Sequence, residues 1–165
     1  MSVEKKALYF AYGSNMSSKW LLRSSPTAIA KATGEVKDKK LVYVAHKEQW
    51  QGATASLFPQ VGETVSGTVW ELPEKDLIAL GAVETETYIK QHSTVHTKDG
   101  PMLCAYFFRR NTSESDIGLP SPQYVQVIIE GAVEQALPEA YIAKLRATAN
   151  NGNKTITDTM TAAMR

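Results

Sequence analysis

The sequence predicts an α+β fold: a small mixed, barrel-like β-sheet flanked by helices. Two observations carry this. About six strand-like runs are clustered in residues 7–109, and helical segments gather after the fourth run and after the last. Strands grouped in this way, with Gly and Pro punctuating them, suit a curled sheet covered by helices rather than alternating βα units. With 165 residues, one substantial core is within reach. A single domain is expected, with a core over about 7–149 and a polar tail over 150–165.

The elements follow in order. Residues 7–12 are apolar and read as a first strand, short and buried on both faces. Residues 17–25, "SSKWLLRSS", suit one or two helical turns closed by Pro26. Strands are expected at 39–46, 52–59 and 63–72, and Gly52 marks a bend or a close backbone approach. A helix follows over 73–83, with Pro73 in its first turn and Leu77 and Leu80 on one side. Residues 87–97 and 101–109 form a hairpin about Asp99-Gly100. Periodicity leaves 121–132 ambiguous. Ser121 as cap, Pro122 at the first helical position and Gly131 at the exit favour a helix. A last clear helix covers 138–149, buried through Tyr141, Ile142 and Leu145. The Thr-rich tail either docks as a short helix or stays mobile.

Composition excludes several classes. The hydrophobic share is 43%, the charged share 21%, and the formal net charge +1, which argues against a nucleic-acid footprint. No apolar run approaches the roughly 18 residues a membrane helix needs, and the start of the chain lacks a signal-peptide pattern. Cys104 is the only cysteine, in a strand-like run. This suits a reducing compartment, so a cytoplasmic protein without membrane contact is expected. The Asn-x-Ser/Thr triplets at Asn15, Asn111 and Asn153 are then incidental.

The stretch that points to chemistry is "LYFAYGSNM", residues 8–16. An apolar strand runs directly into Gly13, Ser14 and Asn15. Gly13 permits positive φ, and small residues at a strand end can aim successive N–H groups at a carboxylate or oxyanion. The plainer reading is an ordinary turn capping the next helix. Ser14 does not fit a nucleophile elbow, which wants Gly-x-Ser-x-Gly. His46 is one of three unmarked histidines. His92 and His96 have helical metal spacing but lie in a β-branched stretch without clustered ligands, so no metal site is expected.

Taken together, several segments resemble the gamma-glutamylcyclotransferase family: "YFAYGSNM" (9–16), "QWQGATASLFP" (49–59), "GETVSGTVWEL" (62–72), "ALGAVETETY" (79–88), "CAYF" (104–107), "SPQY" (121–124) and "GAVEQALPEAYIAKL" (131–145). The resemblance spans about residues 8–146. It implies a mixed barrel-like sheet with helices, a γ-glutamyl small-molecule substrate, no cofactor, and leaves a homodimer open. It implies conversion of a γ-glutamyl amino acid or peptide to 5-oxoproline and a free amino acid. Glu84 matches the family's catalytic glutamate, and Glu86 is the rival. This chain has Gly81 where the family usually has Asp, Thr85 where it has Gly, and a shorter loop to Tyr88. Tyr12, Gly13, Ser14 and Asn15 match the substrate-holding loop, with Tyr9, Phe10 and Ala11 as adjoining strand. Tyr88, Tyr106 and Tyr124 match pocket tyrosines. The Tyr-Gly-Ser-Asn loop favours this activity over that of a gamma-glutamylamine cyclotransferase. A ligand-binding member without catalysis is the other alternative.

Overall fold

A computed structural model describes residues 4–82, 88–109 and 113–164. Five strands, β1 (Lys6–Ala11), β2 (Ile29–Lys47), β3 (Gly52–Pro73), β4 (Tyr88–Thr97) and β5 (Gly100–Arg109), close into a barrel in the order β1-β3-β2-β4-β5. The pairings are antiparallel except the closing one. There β1 meets β5 in parallel at Tyr9 and Ala105. The sheet is therefore mixed and barrel-like, as the sequence predicts.

One element differs in kind. The runs 52–59 and 63–72 are not two strands but the single strand β3. Its partner β2 begins at Ile29, ten residues before the expected start. The two form one long ribbon, paired from Lys47 and Gly52 out to Ile29 and Glu71. The turn signals around Gly62 are absorbed by a register shift between Lys37 and Lys39. Asp38 takes φ 60° and Gly62 φ 88°, and Gly62 N donates to Asp38 Oδ1 at 3.0 Å. Such a bulge bends a strand without ending it. Residues 29–37 have little strand signal of their own; they are strand because β3 pairs with them.

The hairpin lies one residue from its expected centre. Thr97 pairs with Gly100, so Lys98 and Asp99 form the two-residue loop and Gly100, at φ 109°, opens β5.

The helices are α1 (Ser18–Ser24), α2 (Glu74–Ala82), α3 (Pro122–Glu134), α4 (Glu139–Arg146) and α5 (Asp158–Met164). A 3-10 turn, Ser14–Met16, precedes α1. The start of α3 follows from its sequence: Ser121 Oγ accepts from Tyr124 N at 3.2 Å, and Pro122 occupies the first turn. Gly131, however, is not its exit. The helix runs on to Glu134, and Gly131 lets it press onto the 3-10 turn, since a Cβ there would lie 2.8 Å from Ser17 N. Val125, Val127, Ile128 and Ile129 of α3 are buried, and the helix packs on this turn, α4 and α5. The tail docks: Met160 and Ala163 of α5 are buried. Among the described residues no helix is long and apolar enough to cross a membrane.

The barrel core is built from Phe10, Val36, Val65, Val69, Leu72 and Val95, all essentially without exposure. Gly34 and Gly67 face each other across β2 and β3. A Cβ on Gly67 would stand 2.7 Å from Phe10 Cζ, and one on Gly34 2.7 Å from His96 O. Curling the ribbon this tightly requires both side chains to be absent. Gly67→Ala is therefore expected to destabilise by about 1–3 kcal/mol, typical of an overpacked core. Its thermal midpoint would fall by several degrees, and scanning calorimetry would measure it; an unchanged midpoint would show that the strands can part.

Candidate active site

A cavity of about 480 Å³ opens where β1 ends. The strand stays paired to Ala11, opposite Thr68, and the chain then turns. Met16 N bonds to Gly13 O at 3.1 Å and Ser17 N to Ser14 O at 3.0 Å. The N–H groups of Ser14 and Asn15 precede the first bond of this turn, where a helical segment leaves its amide hydrogens without internal partners. Gly13, Ser14 and Asn15 all line the cavity. Gly13 has φ −118° rather than a positive value. What it supplies is space, because a Cβ would lie 3.3 Å from Ala55 Cβ and 3.6 Å from Tyr124 Oη, at the cavity wall.

Four phenols surround this turn. Tyr9, Tyr12, Tyr88 and Tyr124 line the cavity, each fixed by a hydrogen bond. Asn15 Nδ2 donates to Tyr9 Oη at 2.9 Å, while Asn15 O accepts from Trp70 Nε1 at 3.0 Å. Asn15 is thus held at both ends and orients Tyr9. Tyr12 donates to Phe107 O. Tyr88 Oη and Thr54 Oγ1 are 3.1 Å apart. Tyr124 Oη accepts from Ala55 N at 2.9 Å, which leaves its own hydrogen to donate into the cavity.

Burial raises the pKa of Tyr9, Tyr12 and Tyr124. Tyr9 is pushed up to about 12 by desolvation, partly offset by Asn15. Tyr12 is raised by desolvation, then by its neighbours Tyr88, Tyr9, Tyr124 and Tyr106. Tyr124 is raised chiefly by desolvation. At neutral pH these three are neutral donors, not bases. Lys47 also lines the cavity, its ammonium 5.3 Å from the Tyr88 ring centre, and burial followed by Arg109 lowers its pKa. Asp76 is the carboxylate among the described lining residues; its Oδ2 accepts from the buried Ser25 Oγ at 2.6 Å.

Other expected site residues lie elsewhere. Phe10 and Ala11 are core and do not line the cavity. Tyr106 does not line it either. Side chains alternate along β5, so it is the next residue, Phe107, that faces the cavity, whereas Tyr106 Oη points to Gln91 Oε1 at 3.5 Å. Glu84 and Glu86 lie outside the described residues; Gly81 and Tyr88, on either side of that segment, both line the cavity. His92 and His96 are exposed on β4, and no group of three or more metal-ligating side chains occurs among the described residues. Sequence reasoning missed Trp20, Lys47, Trp50, Thr54, Ala55, Asp76 and Phe107. Trp50, Thr54 and Ala55, within "QWQGATASLFP", and Phe107, within "CAYF", stood in stretches already singled out, but not as site residues.

Comparison with known proteins decides the family. A gamma-glutamylcyclotransferase of Mus musculus is 32% identical over 154 residues, covering 89% of this chain and 81% of that protein. The chain belongs to the gamma-glutamylcyclotransferase family. The Homo sapiens protein of that name is 31% identical over 155 residues, covering 90% of this chain and 81% of its own. The model of the AIG2-like family matches residues 64–145. A solved gamma-glutamyl cyclotransferase superposes with a TM-score of 0.88 at 28% identity, over 95% of this chain and 96% of that one. The barrel and its helical cover are thus the fold of the gamma-glutamylcyclotransferase family.

The buried phenols make stability depend on alkaline pH. An unfolded tyrosine ionises near 10, whereas folded Tyr9 holds its proton to about 12. Below pH 10 both states are protonated and the contribution of Tyr9 is complete. Between about 10 and 12 only the unfolded state loses the proton, so stability falls. For Tyr9 alone the loss is on the order of 2–3 kcal/mol. Denaturant midpoints across this range would measure it, and Tyr9→Phe should flatten the slope. A midpoint independent of pH up to 12 would contradict the burial of the phenols.

Proposed function

We propose that this protein is a gamma-glutamylcyclotransferase, converting γ-glutamyl amino acids or peptides to 5-oxoproline and a free amino acid. The observation that carries the reading is a cavity of neutral phenols and turn amides at Tyr12–Asn15, in a chain of this family. The amides of Ser14 and Asn15 suit the substrate's carboxylate or its γ-carbonyl oxygen. The hydroxyls of Tyr9, Tyr88 and Tyr124 suit the remaining polar atoms of a folded glutamyl group.

The substrate carries its own nucleophile. Its α-amine attacks the γ-carbonyl carbon, a C–N bond closes the five-membered ring, and negative charge develops on the carbonyl oxygen near the amide donors. The bond to the acceptor nitrogen then breaks as that nitrogen takes a proton. No water, metal or cofactor is consumed. Holding the bent conformer supplies much of the rate, since well-oriented intramolecular attack is worth roughly 7–11 kcal/mol. What remains is proton transfer from the α-ammonium and to the leaving nitrogen. One carboxyl group can do both in turn. The neutral phenols do not serve as the base, and Asp76 is already engaged by Ser25. We assign the role to Glu84, whose segment joins two cavity-lining residues, Gly81 and Tyr88. Glu86 is the rival. The cytosol, where a lone buried Cys104 stays reduced, is the compartment this reading implies.

Incubation with γ-glutamyl-alanine is expected to yield 5-oxoproline. Failure to turn over any of a panel of γ-glutamyl compounds, with binding retained, would make this a binding member of the family instead. Glu84→Gln should lower kcat at least about 100-fold, the lower end for a positioned acid–base group. Asp76→Asn should lower it far less. If Glu84→Gln stays active while Glu86→Gln or Asp76→Asn does not, the proton carrier moves to that residue.

A further inference from the structure

Another part of the cavity wall is the 3-10 turn Glu48–Trp50, which contributes Gln49 and Trp50. Three consecutive carbonyls here are held by side chains from distant parts of the chain. Thr157 Oγ1 donates to Gln49 O at 2.6 Å, Ser121 Oγ to Trp50 O at 2.6 Å and Asn151 Nδ2 to Gln51 O at 2.8 Å. Asn153 Nδ2 adds a bond to Gln51 Oε1 at 3.2 Å. Gln51 itself sits at φ 53°, a left-handed conformation that a non-glycine residue keeps only when its surroundings hold it.

Two of the three carbonyl donors thus belong to the tail. That tail is anchored, not draped. Asn151 N bonds to Pro120 O at 2.9 Å, Thr157 Oγ1 accepts from Met160 N at 3.2 Å, and the side chain of Met160, on α5, is fully buried. The position of the turn in turn sets the Trp50 ring, whose centre lies 4.9 Å from that of Tyr124 and 5.3 Å from that of Trp20. All three rings line the cavity.

We infer that the tail is part of the substrate-binding apparatus, with Asn151 and Thr157 as positioning residues that fix the Gln49–Trp50 wall against the acceptor portion of the substrate. The kinetic part of this inference rests on the proposed cyclotransferase reaction. There the glutamyl group occupies the amide and phenol wall, which leaves the tryptophan wall for the amino acid to be released. Contacts to the acceptor are made alike in the ground and transition states. Loosening them raises KM and leaves kcat in place.

The test uses the full chain with Asn151→Ala and Thr157→Val, singly and together, and Thr157→Ser as the conservative control. The double variant is expected to raise KM for γ-glutamyl-leucine about fivefold or more with kcat within about twofold, the scale of two lost solvent-facing hydrogen bonds. Thr157→Ser should keep the wild-type KM. Hydrogen exchange of the peptide spanning 48–52 should quicken in the double variant while β1 and α3 are unchanged. Unchanged exchange would show that the tail does not hold the turn. Faster exchange with unchanged KM, or a fall in kcat alone, would show that the held wall does not bind the acceptor. Each of these results overturns the inference. If wild-type protein turned over no γ-glutamyl compound, the cyclotransferase reading would fall by itself, and the exchange result would still decide whether the tail holds the wall.

Discussion

The unshared edge of β3 is the constraint around which this molecule is arranged. β1 pairs with β3 only from Pro73 back to Thr68. The half of β3 nearer Gly52 is paired to β2 on one side, and among the described residues no strand lies along its other edge. Buried backbone donors on such an edge need partners. Ala53 N finds Leu119 O at 3.1 Å, and Ala55 N finds the phenol of Tyr124 at 2.9 Å. That edge is satisfied by a segment and one side chain rather than by a strand, and Thr54 and Ala55 along it line the cavity. Gly52 belongs to the same solution, because a Cβ at that position would lie 2.6 Å from Ser121 N.

Electrostatics in the cavity follow from how it is lined. Tyr9, Tyr12 and Tyr124 are buried deeply enough to stay neutral, and each hydroxyl is oriented by a fixed partner. Amide hydrogens at Ser14 and Asn15 add donors that carry no net charge. Preorganised neutral dipoles in a partly dry site need not reorganise when charge appears on a substrate oxygen, which is where they are most effective. The same neutrality means that these groups cannot take a proton at pH 7. A site lined in this way offers many fixed donors and leaves proton transfer to other groups.

The two walls are supported differently. The Gly13–Asn15 wall is the direct continuation of β1, pinned by Trp70 and pressed by α3 through Gly131. The Gln49–Trp50 wall is held instead by side chains of the tail, Asn151 and Thr157. A change at Asn151 or Thr157 therefore acts directly on the second wall. This is a simple physical route by which acceptor preference could vary while the ring-closing chemistry stays fixed.

What the sequence determined by itself is local. The Ser121-Pro122 start of α3 was legible because a cap and a ring-fixed φ act within one turn. The hairpin near Gly100 was legible because a two-residue loop needs a permissive residue beside it, and the loop at Gly13–Asn15 because small residues follow bulky ones without a spacer. The likeness of the chain to its family also drew attention to Tyr9, Tyr12, Tyr88 and Tyr124, which the fold places around one cavity. Tertiary structure alone decided the rest. Residues 29–37 are strand only because β3 pairs with them, and the break expected near Gly62 is a bulge because Asp38 accepts its N–H. Tyr106 and Phe107 exchange roles because alternation along β5 acquires a direction only when the barrel closes. Thr54 and Ala55 stand in a stretch that resembles the family, but nothing local marks them as cavity residues, and the tail bonds to residues 49–51 carry no local signal at all. Pairing, closure and carbonyl capture join positions far apart in the chain, and such contacts leave no mark on the few neighbouring residues from which a sequence is read.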